Sequence, residues 1–443
     1  MALIHIPAQA QRAERKPNII LILADDLGYG DLGSYGQRFF RTPNLDRMAQ
    51  EGLRFTEFYA AAPVCAPSRA SLMTSLHQGH AYIRGNTDVN NRRVSLRPQD
   101  VTVAEVLKTV GYRTGIIGKW GLGEPDTTGV PNRKGFDYWF GYLNQNHAHN
   151  YYPDYLWRNE ERVNIPKGTY SHDLFTREAL DFIRRERASP FFLYLAYTIP
   201  HANNELTRKT GNGMEVPDDA PYSKESWRQQ EKNYAAMIWR MDADIGKIFA
   251  LLKELKLDDD TIVIFTSDNG PQGKDEGGYD QTFFNSNGGL RGIKRELYEG
   301  GIREPMIVRW PGKVKSGQTS DLIWTQLDFM PTFATIAGAK SPAGIDGVSM
   351  LPALLGQRPP NHKRPPDHLF LYWEFHEGGY AQAVRMGRWK AVRHGVNGVI
   401  ELYDLQTDPK ETNNLAAKQP ALIKRIEEIM KREHVESEHW PDR

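Results

Sequence analysis

The sequence predicts an α/β fold: a large, mostly parallel or mixed sheet sandwiched by helices, followed by a smaller C-terminal antiparallel sheet with a helix. Three observations predict it. Short apolar runs of strand length alternate with helical patterns from residue 18 to about 340. The 443 residues are enough for a large catalytic domain and a smaller one. Proline-rich sequence around residues 356 to 366 then separates this alternation from a run of short strand-like pieces.

The elements of the larger region follow one another as strand and helix. Strands are predicted at 17–24, 113–118, 191–197 and 261–265, and helices at 44–51, 171–185 and 234–255. The longest helix is amphipathic, with Met237, Met241, Ile245, Ile248 and Leu252 on one face. Such alternation predicts a mostly parallel sheet covered on both faces, in which ligands bind beyond the carboxyl ends of the strands.

Three segments are predicted along the chain. Residues 1–16 form an N-terminal tail or the remnant of a signal, residues 17–356 a catalytic domain, and residues 357–443 a C-terminal subdomain. The subdomain is predicted from strand-like pieces at 369–375, 381–386, 388–393 and 399–403, and an amphipathic helix at 420–432.

Composition excludes some partners. The net charge of +1 gives no global field toward nucleic acid or an anionic membrane, so neither is an expected partner. No apolar run approaches the roughly 20 residues that span a bilayer. The segment Ala8-Gln9-Ala10 is compatible with the end of a trimmed secretion signal, although no complete signal is visible. We expect a periplasmic or secreted protein.

Acidic pairs stand at the ends of two predicted strands. Asp25 and Asp26 follow the first strand, and Asp268 and Asn269 follow a later one. Four oxygen-bearing side chains from two strand ends suit a hard divalent cation, Ca²⁺ or Mg²⁺. The alternative is that each pair only marks a turn or a helix cap.

Cys65 is the single cysteine, so no intramolecular disulfide can form. A lone cysteine is often only a small buried apolar residue. Pro67 suits the first turn of a helix, which would place Cys65 at the positive end of a helix dipole, where anions bind. Arg69 lies one turn in and can form a planar fork to an oxyanion. The spacing does not fit the Cys-x₅-Arg loop of thiol-based phosphatases, because Ser71 stands where the arginine would be.

Several motifs in order resemble those of the type I, formylglycine-dependent sulfatases, an arylsulfatase-like family of the alkaline phosphatase superfamily. The central one is Cys65-Ala66-Pro67-Ser68-Arg69 followed by Leu72-Met73-Thr74-Ser75. The resemblance covers nearly the whole chain from Pro17. The other matching segments are 17–20 with 25–28, 118–120, 200–201, 267–270, 290–294, 299–303, 326–328, 345–347 and 402–415.

The resemblance implies an alkaline-phosphatase-like fold and two cofactors. Cys65 would be oxidised to formylglycine by a formylglycine-generating enzyme, and the hydrated aldehyde would supply the attacking hydroxyl. Ca²⁺ would be bound by Asp25, Asp26, Asp268, Asn269 and the modified residue 65.

The resemblance also assigns catalytic roles to four matching positions. Arg69 would orient the hydrated aldehyde. Lys119 and Lys294 would hold the sulfate oxygens and neutralise charge in the transition state. His201, with Lys294, would protonate the leaving oxygen.

The sequence departs from the family pattern at Gly121, where most members have histidine after the Gly-Lys-Trp segment. We expect His147 or His149 to take over the lost hydrogen bond and to bind substrate, since in an extended loop both would point to one face. The alternative is that they are simple loop histidines. Arg84, in a short basic loop, is a further candidate for substrate binding.

The predicted function is hydrolysis of a sulfate ester, and more narrowly the exo-acting removal of sulfate from a glycan or a small sulfate ester. The compact inserts between the motifs favour a pocket over an open cleft. Two alternatives remain open at this point. One is a phosphonate or phosphate ester hydrolase with the same machinery, and the other is an inactive homologue that binds glycans.

Overall fold

The computed structural model describes residues 15–357 and 368–442. The predicted tail at 1–16 and the predicted linker around 356–366 therefore lie largely outside the described residues. The division into 17–356 and 357–443 remains a prediction.

The larger sheet is mixed, with a parallel centre. Its strands are β1 (Asn18–Asp25), β2 (Leu53–Tyr59), β3 (Arg113–Lys119), β4 (Tyr138–Tyr142), β5 (Tyr155–Arg158), β6 (Glu161–Asn164), β7 (Phe191–Pro200), β8 (Thr261–Ser267), β9 (Arg303–Arg309), β10 (Gln318–Ser320) and β11 (Trp324–Thr325). Their spatial order is β10-β2-β9-β8-β1-β7-β3-β4-β5-β6, with β11 beside β2. The strands β8, β1, β7, β3 and β4 run parallel, whereas β9 is antiparallel to both of its neighbours.

Helices cover both faces of this sheet. The helices of this region are α1 (Pro43–Glu51), α2 (Cys65–Thr74), α3 (Val103–Lys108), α4 (Ser171–Glu186), α5 (Asn204–Thr210), α6 (Gln229–Glu254), α7 (Lys274–Gly277), α8 (Glu299–Ile302), α9 (Phe329–Ala337) and α10 (Leu351–Leu354), and α11 (Pro420–Glu433) follows in the C-terminal region. Alternate residues of β1 belong to two separate cores. Ile20 packs with the side chains of α4 and α6, and Ile19 packs with those of α2, α3 and α9. A strand buried on both faces explains why its sequence is continuously apolar.

The smaller sheet is antiparallel, with the strands β12 (Leu371–Phe375), β13 (Ala381–Met386), β14 (Trp389–His394) and β15 (Ile400–Asp404) in sequential order. Helix α11 packs on it through Ile426, Ile429 and Met430. The predicted fold class is thereby confirmed. None of the helices within the described ranges has both the length and the apolar composition needed to cross a membrane.

The parallel centre of the large sheet gathers the predicted site residues at one edge. In the register of the sheet, Ala24 is paired with Ser267, and Asp25 with Pro200. The residues that follow these pairs in the chain, Asp26, Asp268 and His201, therefore leave the sheet side by side. Lys119 is the last residue of β3, which lies next to β7.

Gly118 lets β3 approach β7 more closely than a side chain would allow. It has a φ of 109°, and a Cβ built there would overlap the carbonyl oxygen of Ala196 and lie 2.6 Å from the carbonyl carbon. Gly111 also has a positive φ, 88°, but a Cβ there would meet nothing within 4 Å.

We therefore expect Gly118→Ala to lower the free energy of unfolding clearly more than Gly111→Ala, measured by urea denaturation. The control should lose only about 1–2 kcal/mol, the cost of the left-handed backbone, while Gly118→Ala adds a steric overlap to that cost. Equal losses in the two variants would show that the strands separate without penalty.

Candidate functional site

Three carboxylates and one amide meet at the strand ends. Asp26 has a φ of 63°, which is uncommon for a residue with a side chain, and its backbone N–H donates to Asp268 Oδ1 over 3.1 Å. Asn269 Nδ2 donates to Asp26 Oδ1 over 2.6 Å. The other amide atom, Asn269 Oδ1, is buried and has no hydrogen-bond partner among the described residues. An unpartnered buried oxygen beside three carboxylates fits the oxygen-rich surroundings that a hard divalent cation prefers.

Three cationic side chains balance the three carboxylates. Lys119 Nζ donates to Asp25 Oδ2 over 2.7 Å, and Lys294 Nζ donates to Asp26 Oδ2 over 2.8 Å. Arg69 donates through Nε and Nη2 to Asp268 Oδ2, over 3.0 and 2.8 Å. All six side chains are at most 5% exposed. Buried charges persist only when they are paired in this way.

The electrostatics of the carboxylates differ although they are neighbours. Burial would raise the pKa of Asp25, but Lys119 and Arg69 outweigh it and hold that pKa well below its usual range. Burial raises the pKa of Asp26 to about 7, against the attraction of Lys294 and with the help of the charges on Asp25 and Asp268. Without a further cation the cluster therefore disfavours full ionisation.

Cys65 is the first residue of α2 and faces this cluster. Its Sγ lies 3.5 Å from Asp25 Oδ1 and 4.0 Å from Asp26 Oδ1. Burial raises the pKa of the thiol well above its usual range. An unmodified Cys65 therefore stays protonated and is a poor nucleophile.

Two polar residues that the sequence did not single out fix the geometry around α2. Ser68 Oγ donates to the carbonyl oxygen of Asp268, over 2.5 Å, and lies 2.7 Å from Gln326 Oε1. Gln326 Nε2 donates to the carbonyl oxygens of Ser267 and Asp268, over 3.1 and 3.2 Å. Both lie in the matched motifs, but only the fold shows that they tie α2 to the end of β8.

His201 is held in one tautomer at the edge of the cluster. Its Nδ1 lies 2.6 Å from the carbonyl oxygen of Ala202, which can only accept, so Nδ1 carries the proton. Nε2 is left facing Lys294 Nζ at 3.2 Å. Burial, with the charge of Lys294, lowers the pKa of His201 well below its usual value. The free protein thus holds a neutral imidazole whose Nε2 accepts a hydrogen bond from Lys294 Nζ.

These groups open onto a cavity of about 280 Å³. Cys65, Lys119, His201 and Lys294 lie in its wall. The rim is polar and carries charges of both signs. The remaining lining residues are Asn86, Thr87, Arg93, Gln145, Asn146, His149, Asn204, Glu205, Arg208, Arg295 and Glu377.

Of the two loop histidines, one lines the cavity and the other does not. His149 stacks on His201, with ring centroids 4.9 Å apart, and its Nδ1 lies 2.9 Å from Glu205 Oε2. His147 packs between the rings of Tyr142 and Tyr155 instead. The segment His147–His149 is a 3₁₀ turn rather than an extended loop, so side chains two positions apart do not share a face.

The side chain of Gln145 fills the space beside Gly121, for which the sequence suggested His147 or His149. A Cβ built on Gly121 would overlap Nε2 of Gln145 and lie 3.0 Å from its Cδ. The expectation that His147 or His149 fills the gap at Gly121 is therefore corrected, because Gln145 already occupies that space.

Arg84, the other residue expected to bind substrate, is not among the residues that line the cavity. It is 4% exposed, and its Nη1 donates to Glu374 Oε1 over 2.5 Å. Its remaining N–H groups reach the carbonyl oxygens of Ala81, Gly79 and Val435, over 2.7 to 3.0 Å. The guanidinium joins the catalytic region to β12 and to the segment after α11.

Comparison with known proteins finds similarity to sulfatases over nearly the whole chain. The family model described as Sulfatase matches residues 17–339, and the one described as N-sulphoglucosamine sulphohydrolase, C-terminal, matches residues 292–438. The N-acetylgalactosamine-6-sulfatase of Homo sapiens is 37% identical over 413 residues, which cover 86% of this chain and 72% of the relative. Arylsulfatase A of Homo sapiens is 33% identical over 466 residues, which cover 90% and 83%.

A solved structure shares the fold closely. The crystal structure of Ps i-CgsB in complex with k-i-k-neocarrahexaose superposes with a TM-score of 0.81 and 30% sequence identity. The match covers 95% of this chain and 93% of that one. The similarity thus extends over both sheets.

The position of Arg84 predicts a structural role. We expect Arg84→Ala to lower the free energy of unfolding by about 3–5 kcal/mol, because it leaves the carboxylate of Glu374 buried without this partner. Arg184→Ala is the control. The pair of Arg184 with Asp181 is exposed on both sides, so its loss should cost no more than about 1 kcal/mol. Urea denaturation that ranks the two variants equally would contradict this role.

Proposed function

The chain belongs to the sulfatase family, and from this premise we propose that it removes the sulfate group from the end of a sulfated carbohydrate. As a family member it is a sulfuric ester hydrolase. One observation carries the narrower proposal: two lysines, a histidine and Cys65 share the wall of one cavity of about 280 Å³. That volume suits a single sugar ring rather than an extended polymer. The names of the relatives, an N-acetylgalactosamine-6-sulfatase and a protein bound to a neocarrahexaose, support a sugar substrate.

We propose Ca²⁺ as the resident metal. The ligand set contains only oxygen donors apart from residue 65, and oxygen is the donor that Ca²⁺ prefers. Asp25, Asp26, Asp268 and Asn269 would hold the ion, together with the modified residue 65. The unpartnered Oδ1 of Asn269 and the raised pKa of Asp26 both support a cation here. When bound, the ion polarises the oxygens around it and favours the charged form of the carboxylates.

Oxidation of Cys65 to formylglycine, by a formylglycine-generating enzyme, is the second part of the proposal. The raised pKa of the buried thiol supports it, because a protonated thiol cannot attack an anionic ester. Formylglycine supplies a hydroxyl nucleophile in its hydrated form. Arg69 would orient that group: it is fixed by Asp268, and its Nη2 also lies 3.4 Å from Asp25 Oδ1, on the side that faces residue 65.

Lys119 and Lys294 would bind the sulfate oxygens. Both ammonium groups line the cavity and are fixed by carboxylates, so they need no reorganisation when charge develops on the sulfate. Asp26 outweighs burial and raises the pKa of Lys294, and Asp25 does the same for Lys119. Both lysines are therefore charged near neutral pH.

His201 would protonate the leaving oxygen. His201 lines the cavity, and its Nε2 lies 3.2 Å from Lys294 Nζ. The free protein holds this imidazole neutral, because burial and Lys294 lower its pKa. A bound sulfate ester adds a negative charge nearby, which raises the pKa and favours a proton on Nε2. The acid would thus form only when substrate is present.

Export to the periplasm or out of the cell is also part of the proposal. The residues that would carry a signal remnant, 1–14, lie outside the described residues.

Activity on small esters tests the reaction. We expect turnover of sulfated monosaccharides and no comparable turnover of the matching phosphate esters, measured by sulfate and phosphate release at equal enzyme.

Cys65→Ala should be inactive while keeping the melting temperature of the parent, and His201→Ala should lose about 10² to 10⁴ in kcat. Peptide mass spectrometry of the active parent should find formylglycine at residue 65. An active parent with an unmodified thiol there would overturn the nucleophile assignment, and preference for phosphate esters would overturn the substrate class.

Calcium binding tests the metal assignment independently of turnover. We expect calorimetry on chelator-treated protein to show one Ca²⁺ site, and chelation to abolish sulfate release. Asp268→Asn should lose this binding, because it removes a charged ligand while keeping the shape of the side chain. Asp259→Asn, at an exposed aspartate, is the matched control and should bind as the parent does. Undiminished Ca²⁺ binding in Asp268→Asn would contradict the assignment.

A further inference from the structure

A carboxylate from the C-terminal region stands in the wall of the cavity. Glu377 lies in the connection between β12 and β13, and it lines the cavity together with Cys65, Lys119 and Lys294. Its side chain is 21% exposed, so solvent reaches it and a ligand in the cavity can do so as well. An anionic sulfate group gains nothing from a carboxylate in the same wall. The acidic side chain therefore points to another part of the ligand.

Two contacts fix Glu377 in this place. Its Oε1 accepts from the backbone N–H of Asn86 over 2.6 Å, and Asn86 Oδ1 accepts from the backbone N–H of Ala66 over 3.0 Å. Its Oε2 accepts from Nη1 of Arg295, the residue that follows Lys294 in the chain. The carboxylate is therefore tied on one side to the first turn of α2 and on the other side to the neighbour of a lysine in the cavity wall.

The pair with Arg295 leaves negative charge at this place. Nε of Arg295 also donates to Glu276 Oε1 over 3.0 Å, so one guanidinium serves two carboxylates. Glu205, the other acidic residue in the lining, lies at the exposed rim: its side chain is 50% exposed and pairs with Arg208, which is 69% exposed. Glu377 is thus the acidic side chain of the lining that is held in a defined position.

We propose that Glu377 accepts a hydrogen bond from a hydroxyl group of the sugar that carries the sulfate, and that it excludes sugars with a second anionic group at that position. The inference rests on the proposed function, since it names the kind of sugar that the same cavity takes. A carboxylate only accepts hydrogen bonds, and the hydroxyls of a sugar ring are donors that match it. A second sulfate there would meet a fixed like charge, which disfavours binding.

One substitution and its control separate this role from a structural one. Glu377→Gln keeps the shape of the side chain and removes its charge. Glu160→Gln makes the same change in the exposed pair of Glu160 with Arg133, which is not part of the lining, and is the matched control. Melting temperatures establish that each variant is folded. Calorimetry with inorganic sulfate should find both variants binding at least as tightly as the parent, because the groups that would hold the sulfate are unchanged.

The measurement is kcat/KM on the sulfated monosaccharide that the parent cleaves fastest, on its monodeoxy forms and on its disulfated forms. N-acetylgalactosamine 6-sulfate is the first probe, after the name of a relative. We expect Glu377→Gln to lower kcat/KM on the unmodified sugar by about tenfold to a hundredfold, which is the worth of one hydrogen bond to a charged group. With one monodeoxy form, which lacks the hydroxyl concerned, the variant and the parent should be equal.

The disulfated forms test the exclusion. With a second sulfate in place of that hydroxyl, Glu377→Gln should have a higher kcat/KM than the parent, whereas Glu160→Gln should match the parent on every sugar. In the parent itself, removal of the hydroxyl should cost the same factor of about tenfold to a hundredfold, which tests the inference even where a variant does not fold.

Parent-like kcat/KM of Glu377→Gln on the unmodified sugar would overturn the inference. Equal losses on the sugar and on all of its monodeoxy forms would overturn it too, because the carboxylate would then act only by positioning its neighbours. The same holds if no disulfated form is cleaved better by the variant than by the parent. A parent that binds inorganic sulfate but cleaves no sulfated monosaccharide would instead overturn the proposed function, and the inference would fall with it.

Discussion

Mutual repulsion among three buried carboxylates is the constraint around which this protein is arranged. Asp25, Asp26 and Asp268 are at most 1% exposed and leave neighbouring strands at the same edge of the sheet. Bringing such groups together costs several kcal/mol for each uncompensated charge. The cations that compensate them come from distant parts of the chain: Arg69 from α2, Lys119 from the end of β3, and Lys294 from the loop before α8. The site therefore forms only when most of the fold has formed.

Each lysine pairs with one oxygen of its carboxylate, and the other oxygen has different neighbours. Lys119 takes Oδ2 of Asp25, and Lys294 takes Oδ2 of Asp26. The Oδ1 atoms of both residues face Cys65 Sγ instead. One side of each carboxylate thus fixes a lysine in the cavity wall, and the other side faces residue 65. This division lets a few acidic residues position both the groups that would hold a sulfate and the group that would attack it.

Sequence alone predicted the fold class and the convergence of the acidic pairs because both depend on local patterns. The continuous apolar run of β1 indicates a strand buried on both faces, and Asp25-Asp26 directly follows it. Arg84 was assigned to the substrate because its loop is short and basic. Its partner, Glu374, lies 290 residues away, and no local pattern links the two. Gln145 went unrecognised for a similar reason, since its place depends on the missing side chain of Gly121.

The charge in the cavity depends on the protonation of the side chains that line it. Burial lowers the pKa of His149 to about 4, with Lys119 adding to the effect, and that of His201 is lowered as well. Both imidazoles are therefore neutral in the free protein near neutral pH, as is the amide of Gln145. Lys119 and Lys294 keep their positive charge in that range, and Arg93, Arg208 and Arg295 add further cations to the lining of the cavity. An additional histidine at position 121 would have placed a third titratable ring beside the same lysines. The amide of Gln145 occupies the space beside Gly121 instead and adds no titratable group there.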